Sequence, residues 1–391
     1  MDTEVRILEK PEEFAQANIN GCIAFNGRLD PSEDINTPMP YSDTYGVFED
    51  GRLVSHLIAF HYQMTCHGKY VPMCGVGGVC SLIESRNKGY IRRLFHALFN
   101  DLRAKGCMYS YLYPFSGRYY NQFGYGPGVS RVKAIIPIER LEGHTCGYDI
   151  KMYRPGDSFE PYQAVFEKFA ARYSGMTARN DWKRLEDYTP EKNGKSMFLF
   201  TENGEPKAYL GYKHKKDGNS LTAHQDVAWA DTDAFRNILG FVYKLKMHYE
   251  KFIITLPQSF PIESMLTEQW GLTLERYMAG QLRIIDAAGA MKIYPWPNEK
   301  GEIVIGVEDG YFSDQCGSFR VSFGAGEAAV EKCNTAPDIT LDIKALSPLL
   351  MGVYGYDDLA YLPPDWVTVN KNRALLEKAF ARRPVFLTEQ F

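Results

Sequence analysis

Residues 70–113 constrain the fold more than any other stretch. "YVPMCGVGGVCSL" reads as a strand interrupted by Gly77 and Gly78, which marks a bulge or a close approach of backbone. "ESRNKG" is a basic turn. The next residues bury Ile91, Leu94, Phe95, Leu98 and Leu102 at helical spacing and stop at Lys105 and Gly106, and "CMYSYLY" follows as a second strand. Strands joined through a helix lie parallel and adjacent in one sheet, since only a crossover brings the second strand back in the same direction. The helix must therefore start at that sheet's C-terminal edge, with its unpaired amides and positive dipole end facing outward.

The remaining segments repeat or extend this unit. "YGVF" and "LVSHLIAF" flank Asp50-Gly51, whose positive φ closes a tight hairpin. Pro155, Gly156 and Pro161 mark a linker. Beyond it, "MFLFTENGEPKAYLGY" repeats the hairpin around Asn203-Gly204, and "DVAWADTDAFRNILGFVYKLKMHYEKFIITL" repeats strand, helix, strand. This second copy lacks the basic glycine turn. From "AGQLRII" onward, strands and one helical run indicate a further α+β domain. A chain of 391 residues accommodates such a division. The fold class is α+β (mixed α/β), with domains at 1–150, 151–280 and 281–391.

The formal charge of -4 argues against nucleic acid as a partner. Eight cysteines without a CxxC pair form neither a disulfide framework nor a zinc site, so no metal is expected. The N-terminus is charged, and no apolar run reaches the roughly 18 residues of a membrane span. A cytoplasmic protein without membrane partners is expected. Two short motifs carry no function. "NGKS" (193–196) has Thr189 where a phosphate loop needs its first glycine, and "GAGEAA" (324–329) joins two strands.

Three features carry chemistry. Gly89, with Arg86, Lys88 and Arg92 around it, can seat a pyrophosphate on the helix amides, or it is a solvated basic helix start. Ser116 can cap a short helix ending at Gly124, which puts Tyr120 one turn beyond the cap. That phenol is either a donor to a leaving group or one more core aromatic among 26 tyrosines. Val385, Phe386, Leu387 and Phe391 give the C-terminus reasons to be buried. Burial would carry the terminal carboxylate inward, whereas a last strand packed only for stability would leave it at the surface.

Arg86-Asn-Lys-Gly89 resembles the acyl-CoA loop of the GNAT acetyltransferase superfamily. Tyr119-Tyr-Asn-Gln-Phe-Gly-Tyr125 resembles the enhanced-intracellular-survival (Eis) subfamily. The resemblance implies two tandem GNAT-like domains, the second without a CoA loop, followed by a sterol-carrier-protein-like domain. It implies acetyl-CoA as cosubstrate, bound by Val79, Cys80, Ser81, Asn87, Lys88, Gly89, Tyr90, Ile91, Arg92, Phe115 and Ser116. It further implies Tyr120 as general acid, the carboxylate of Phe391 as base, and a small-molecule or peptide amine as acceptor. A homo-oligomer is implied too, commonly a hexamer. Ile91 departs from the family loop, which ends in Gly or Ala. The alternative is a non-catalytic carrier of CoA or lipid on the same scaffold.

Overall fold

The computed structural model describes residues 3–29, 34–179, 182–214, 219–223 and 225–391. The chain forms two compact units. One comprises residues up to Gly128, Gly280–Arg383 and Gln390–Phe391; the other comprises Val129–Ala279 and Pro384–Glu389.

The first unit opens with β1 (Thr3–Ile7), α1 (Pro11–Phe25), β2 (Ser42–Glu49), β3 (Arg52–Cys66), β4 (Lys69–Ser81), α2 (Tyr90–Ala104), β5 (Tyr109–Leu112), α3 (Gly117–Asn121) and β6 (Gly126–Pro127). Asp50 (φ 49) and Gly51 (φ 84) turn the β2–β3 hairpin, with Glu49 opposite Arg52. β4 and β5 pair in parallel from Met73↔Tyr109 to Val76↔Leu112, which is the crossover the sequence requires. α2 buries Leu94, Phe95, Leu98, Phe99 and Leu102 against Tyr45, Val47, Leu57, Ala59 and Val76, with Ile91 half-buried at the margin. Truncating any of these leucines to alanine would cost roughly 2–5 kcal/mol. The opposite face of the hairpin packs α1 through Phe14 and Ala17 onto Leu8, Phe48 and Leu53.

One feature of this sheet positions a site. β4 continues to Ser81 along β3, but its pairing with β5 ends at Val76. A bulge between His56 and Ile58, with Gly78 at φ 58, bends β4 where that pairing stops. The two parallel strands therefore part, and a wedge opens toward the start of α2. On its far side β5 pairs with a strand from much later in the chain, Gln281–Ile284, which also pairs with β6.

The rest of this unit holds a five-stranded sheet in the order Glu327–Cys333, Gly317–Gly324, Gly301–Glu308, Ile339–Asp342, Val367–Val369, with the helices Ala287–Ile293 and Arg373–Ala379 and the buried helix Ile343–Met351. The "GAGEAA" segment is the turn between two of these strands, with Ala325 and Gly326 at positive φ.

The second unit holds an eight-stranded sheet. Lys195–Glu202 and Glu205–His214 form the repeated hairpin, turned by Asn203 (φ 51) and Gly204 (φ 80). "NGKS" is a helix end at Gly194 followed by a strand. After the helix Thr232–Lys244 the strand Lys251–Pro257 pairs in parallel with Ser220–Ala223. Val227–Trp229, the strand expected to lead into this crossover, instead pairs antiparallel with Glu205–His214. What is one long β4 in the first copy is thus two short strands here. Ser130–Pro137 and Thr273–Met278 also belong to this sheet.

Candidate active site

The wedge ends at the start of α2, and that helix start is unsatisfied. A short turn of helix at Ile83–Ser85 leads into Arg86–Gly89, where Asn87 (φ 63) and Gly89 (φ 77) are left-handed. Gly89 is therefore required by its backbone conformation, and a Cβ there would meet nothing within 4 Å. No described side chain caps the helix, and its first turn carries no acid. The first intrahelical bond runs from Arg93 N–H to Gly89 C=O at 3.2 Å, so the amides of Tyr90, Ile91 and Arg92 precede the ladder.

The basic residues divide between two tasks. Lys88 Nζ bonds Glu49 Oε1 at 2.9 Å, and the Tyr90 hydroxyl donates to the same oxygen at 3.0 Å. Both bonds hold the Glu49 carboxyl below the usual carboxylate range. Lys88 and Tyr90 thereby tie the loop to the β2–β3 hairpin. Arg92 donates to Gln122 Oε1 at 3.1 Å. Arg86 is exposed and has no hydrogen bond or ion pair with a described residue, which leaves its charge available to an anion.

Along the wedge, Val79 is half-buried and Cys80 buried, while Ser81 Oγ lies 2.8 Å from Ser55 Oγ. Cys80 Sγ sits 3.4 Å from His56 Nδ1. Burial pushes the thiol up to about 12 and the imidazole down to about 4, so both stay neutral near pH 7. A neutral thiol is a poor nucleophile, which argues against an acyl-cysteine step.

Ser116 caps α3 by accepting from Tyr119 N–H at 3.3 Å. Tyr120 lies one turn on, 3% exposed, among Phe95, Phe115, Phe123 and Tyr125 with ring centroids 5.5–6.3 Å away. It is a core aromatic whose hydroxyl bonds no described residue. The neighbouring buried tyrosines differ, with Tyr125 bonding Ser110 at 2.6 Å and Tyr45 bonding Asp101 at 2.8 Å. Burial holds the Tyr120 phenol well above its ordinary range. Phe115, 75% exposed, stands beside it.

The terminal residue lies at the same end of β5. The Phe391 ring sits 5.2 Å from Tyr113, 5.7 Å from Tyr62 and 6.2 Å from Tyr111. Gly75 and Gly77 make room for it. A Cβ on Gly77 would stand 3.0 Å from the Phe391 carboxylate carbon. Phe391 is half-buried, while Phe386 and Leu387 are buried. Ile58, Phe60 and Tyr62 alternate along one face of β3 and are half-exposed there. On that face, beyond Ile58, lies a groove of ≈ 270 Å³ lined by Phe14, Cys22, Phe25, Met39, His56 and Gly78 among others.

The sequence reading does not single out Gln281 or Arg283. Arg283 is fully buried and bonds the Phe123 carbonyl and Asp309; Gln281 reaches α3. The available signal was an arginine inside the apolar run "QLRII", since a charge with apolar neighbours on a buried strand must find a partner.

Comparison with known proteins matches this architecture. Residues 5–128 and 175–284 each match an acetyltransferase (GNAT) domain family, and residues 287–388 match a sterol carrier protein domain family. N-acetyltransferase Eis of Mycobacterium bovis is 24% identical over 331 residues, covering 81% of this chain and 80% of that protein. An uncharacterised N-acetyltransferase of Streptomyces coelicolor is 23% identical, covering 90% of both chains. Among solved structures, a probable N-acyltransferase from Enterococcus faecalis superposes with a TM-score of 0.89 at 20% identity, covering 100% of both chains. Eis1 from Mycobacterium abscessus gives 0.84 at 20% identity, covering 99% of this chain and 100% of that one.

Proposed function

We propose that this chain, an Eis-like GNAT acyltransferase with a sterol-carrier-protein-like C-terminal domain, moves an acetyl group from acetyl-CoA to a primary amine by direct attack in a ternary complex. The observation that carries the reading is the acid-free start of α2, capped by no described side chain, beside Arg86, which pairs with no described residue. Amides and charge there suit the diphosphate of the cosubstrate. Gly89 leaves the approach open. Asn87, Lys88, Gly89, Tyr90, Ile91 and Arg92 would surround that group. Val79, Cys80 and Ser81 would line the arm through the wedge, and Phe115 and Ser116 the thioester end.

The amine arrives protonated and must lose a proton before its nitrogen can bond the acetyl carbon. A free carboxylate of reference pKa ~3.5 is a weak acceptor for an ammonium near ~10. The Phe391 carboxylate, beside Gly77, draws the ammonium in and takes its proton directly or through water. As the N–C bond forms, the C–S bond breaks and charge gathers on sulfur. Tyr120 answers that charge. Its phenol is held well above the ordinary range and a thiol titrates near ~8.5, so full transfer runs uphill and a hydrogen bond is the main contribution. The sulfur's final proton is one the nitrogen released. Holding both reactants in one cleft supplies much of the rate.

The groove beside α1 is our candidate for the acceptor's body. The acceptor is a small-molecule or peptide amine, and we assign the enzyme to the cytoplasm as a homo-oligomer. No helix among the described residues is long and apolar enough to cross a membrane.

The test is thiol release from acetyl-CoA over polyamines, aminoglycosides and lysine peptides. Tyr120→Phe and deletion of Phe391 should each lower turnover about 10²-fold. Near-normal rates in both would remove these two assignments. Binding of acetyl-CoA without amine-dependent thiol release would favour a carrier instead.

A further inference from the structure

We infer that Arg283, oriented by Asp309, is a positioning residue for Tyr120, so that the C-terminal domain takes part in the catalytic geometry of the first. The inference rests on Tyr120 being the acid. α3 has five residues, far below the roughly 12 at which a helix begins to stand alone, so its place must be set from outside.

The strand Gln281–Ile284 provides that support. Residues two apart project from one face of a strand, and here they reach both ends of α3. The Gln281 carboxamide nitrogen donates to the Gly117 carbonyl at 3.3 Å and meets the Asn121 side-chain amide at 2.9 Å. Arg283 Nη1 donates to the Phe123 carbonyl at 2.7 Å, and Phe123 N–H donates to the Tyr120 carbonyl at 2.9 Å. Two consecutive bonds thus connect the guanidinium to the backbone of the tyrosine. Gly124 permits the approach, because a Cβ there would stand 1.5 Å from Arg283 Nη1.

Asp309 fixes the direction of the fork. Arg283 Nη2 bonds its carboxylate at 2.9 and 2.8 Å, and both side chains are fully buried. The same carboxylate accepts Tyr311 N–H at 2.8 Å, and the guanidinium lies 4.7 Å over Phe99 and 5.4 Å over Phe312. Exchanging a buried ion pair for apolar residues of similar volume is often neutral or stabilising, so stability alone does not account for this one. What they could not supply is a donor aimed at one carbonyl.

The experiment uses the full-length protein with Asp309→Asn, Asp309→Glu and Gln281→Leu, each in the native and the Tyr120→Phe background. It reads kcat, KM for acetyl-CoA, CoA affinity and melting temperature. In the native background Asp309→Asn should lower kcat about tenfold to 10²-fold, with KM and CoA affinity moved less than about threefold. Asp309→Glu should recover part of that loss, and Gln281→Leu, which buries no new charge, should repeat the pattern from the other end of α3. In the Tyr120→Phe background the losses should vanish. Equal losses in both backgrounds, or an unchanged kcat in every folded variant, would overturn the positioning role while leaving the acid in place. Near-normal turnover of Tyr120→Phe itself would instead overturn the acid, and the inference with it.

Discussion

The ring of Phe391 occupies the space that a side chain on Gly75 would fill: a Cβ built there stands 2.6 Å from its Cγ. Gly75 is not in the left-handed region, so alanine meets no backbone penalty there. Gly75→Ala should therefore fold and bind CoA normally while pushing the terminal residue out of place. Turnover should fall at least about tenfold. Steady-state kinetics beside a CoA titration would show it, and unchanged kcat would separate the carboxylate from the chemistry.

Arg86 is the exposed cation without a described partner at the start of α2. Arg86→Glu should weaken CoA about tenfold or more at low ionic strength, and the deficit should shrink as salt screens the surface. Calorimetric titration at two salt concentrations reads both effects. A salt-independent deficit, or none, would put the diphosphate elsewhere.

Burial holds the Tyr120 phenol above its ordinary range, so it keeps its proton throughout the working pH range. The profile of kcat/KM against pH should therefore show no descending limb from this phenol up to about pH 9.5. A fall near pH 9 that disappears in Tyr120→Phe would contradict this phenol's environment.

His56 and His67 are both driven by burial to about 4, so the native state keeps them neutral while the unfolded chain protonates near 6.5. Their full stabilisation is present above pH 6.5 and is lost as pH falls toward 4. The loss is on the order of 3 kcal/mol each by pH 4. Denaturant titrations at pH 7 and pH 4.5 should differ accordingly. His67→Gln should flatten the dependence, since the His67 ring also bonds the Leu350 carbonyl at 2.7 Å and glutamine can keep a donor there.

The helix of the repeated domain, Thr232–Lys244, closes its own start. Asp231 accepts Ala234 N–H at 2.8 Å and Asp233 adds a second acid, which repels an anion, whereas the first turn of α2 carries no acid. Titration should therefore find one CoA per chain. A second equivalent that survives Arg86→Glu would mean the repeat binds too.

Local chemistry made much of this legible. Asp50-Gly51 and Asn203-Gly204 announce their hairpins because left-handed φ values are easiest for these residues. The apolar spacing of Leu94, Leu98 and Leu102 announces α2, and the charge on Arg86 and Lys88 announces its start. That Lys88 is engaged by Glu49 was hidden, because the partner lies across the hairpin. Strand partners chosen over long range were hidden too. Gln281–Ile284 completes the first sheet, and Val227–Trp229 joins a neighbour other than its crossover mate, because pairing register depends on surfaces brought together only in the fold. The ties around Arg283 span the gap between Phe123 and Asp309, which no window of sequence contains.

The close seat of Arg283 against Gly124 has an evolutionary corollary. Neither position can drift alone: any side chain at 124 would strike the guanidinium, and a shorter residue at 283 would strand a buried carboxylate and release a carbonyl. Relatives that carry a bulkier residue at the first site should have replaced the arginine and its acid in step, leaving a linked triplet as the trace by which descent of this arrangement can be followed.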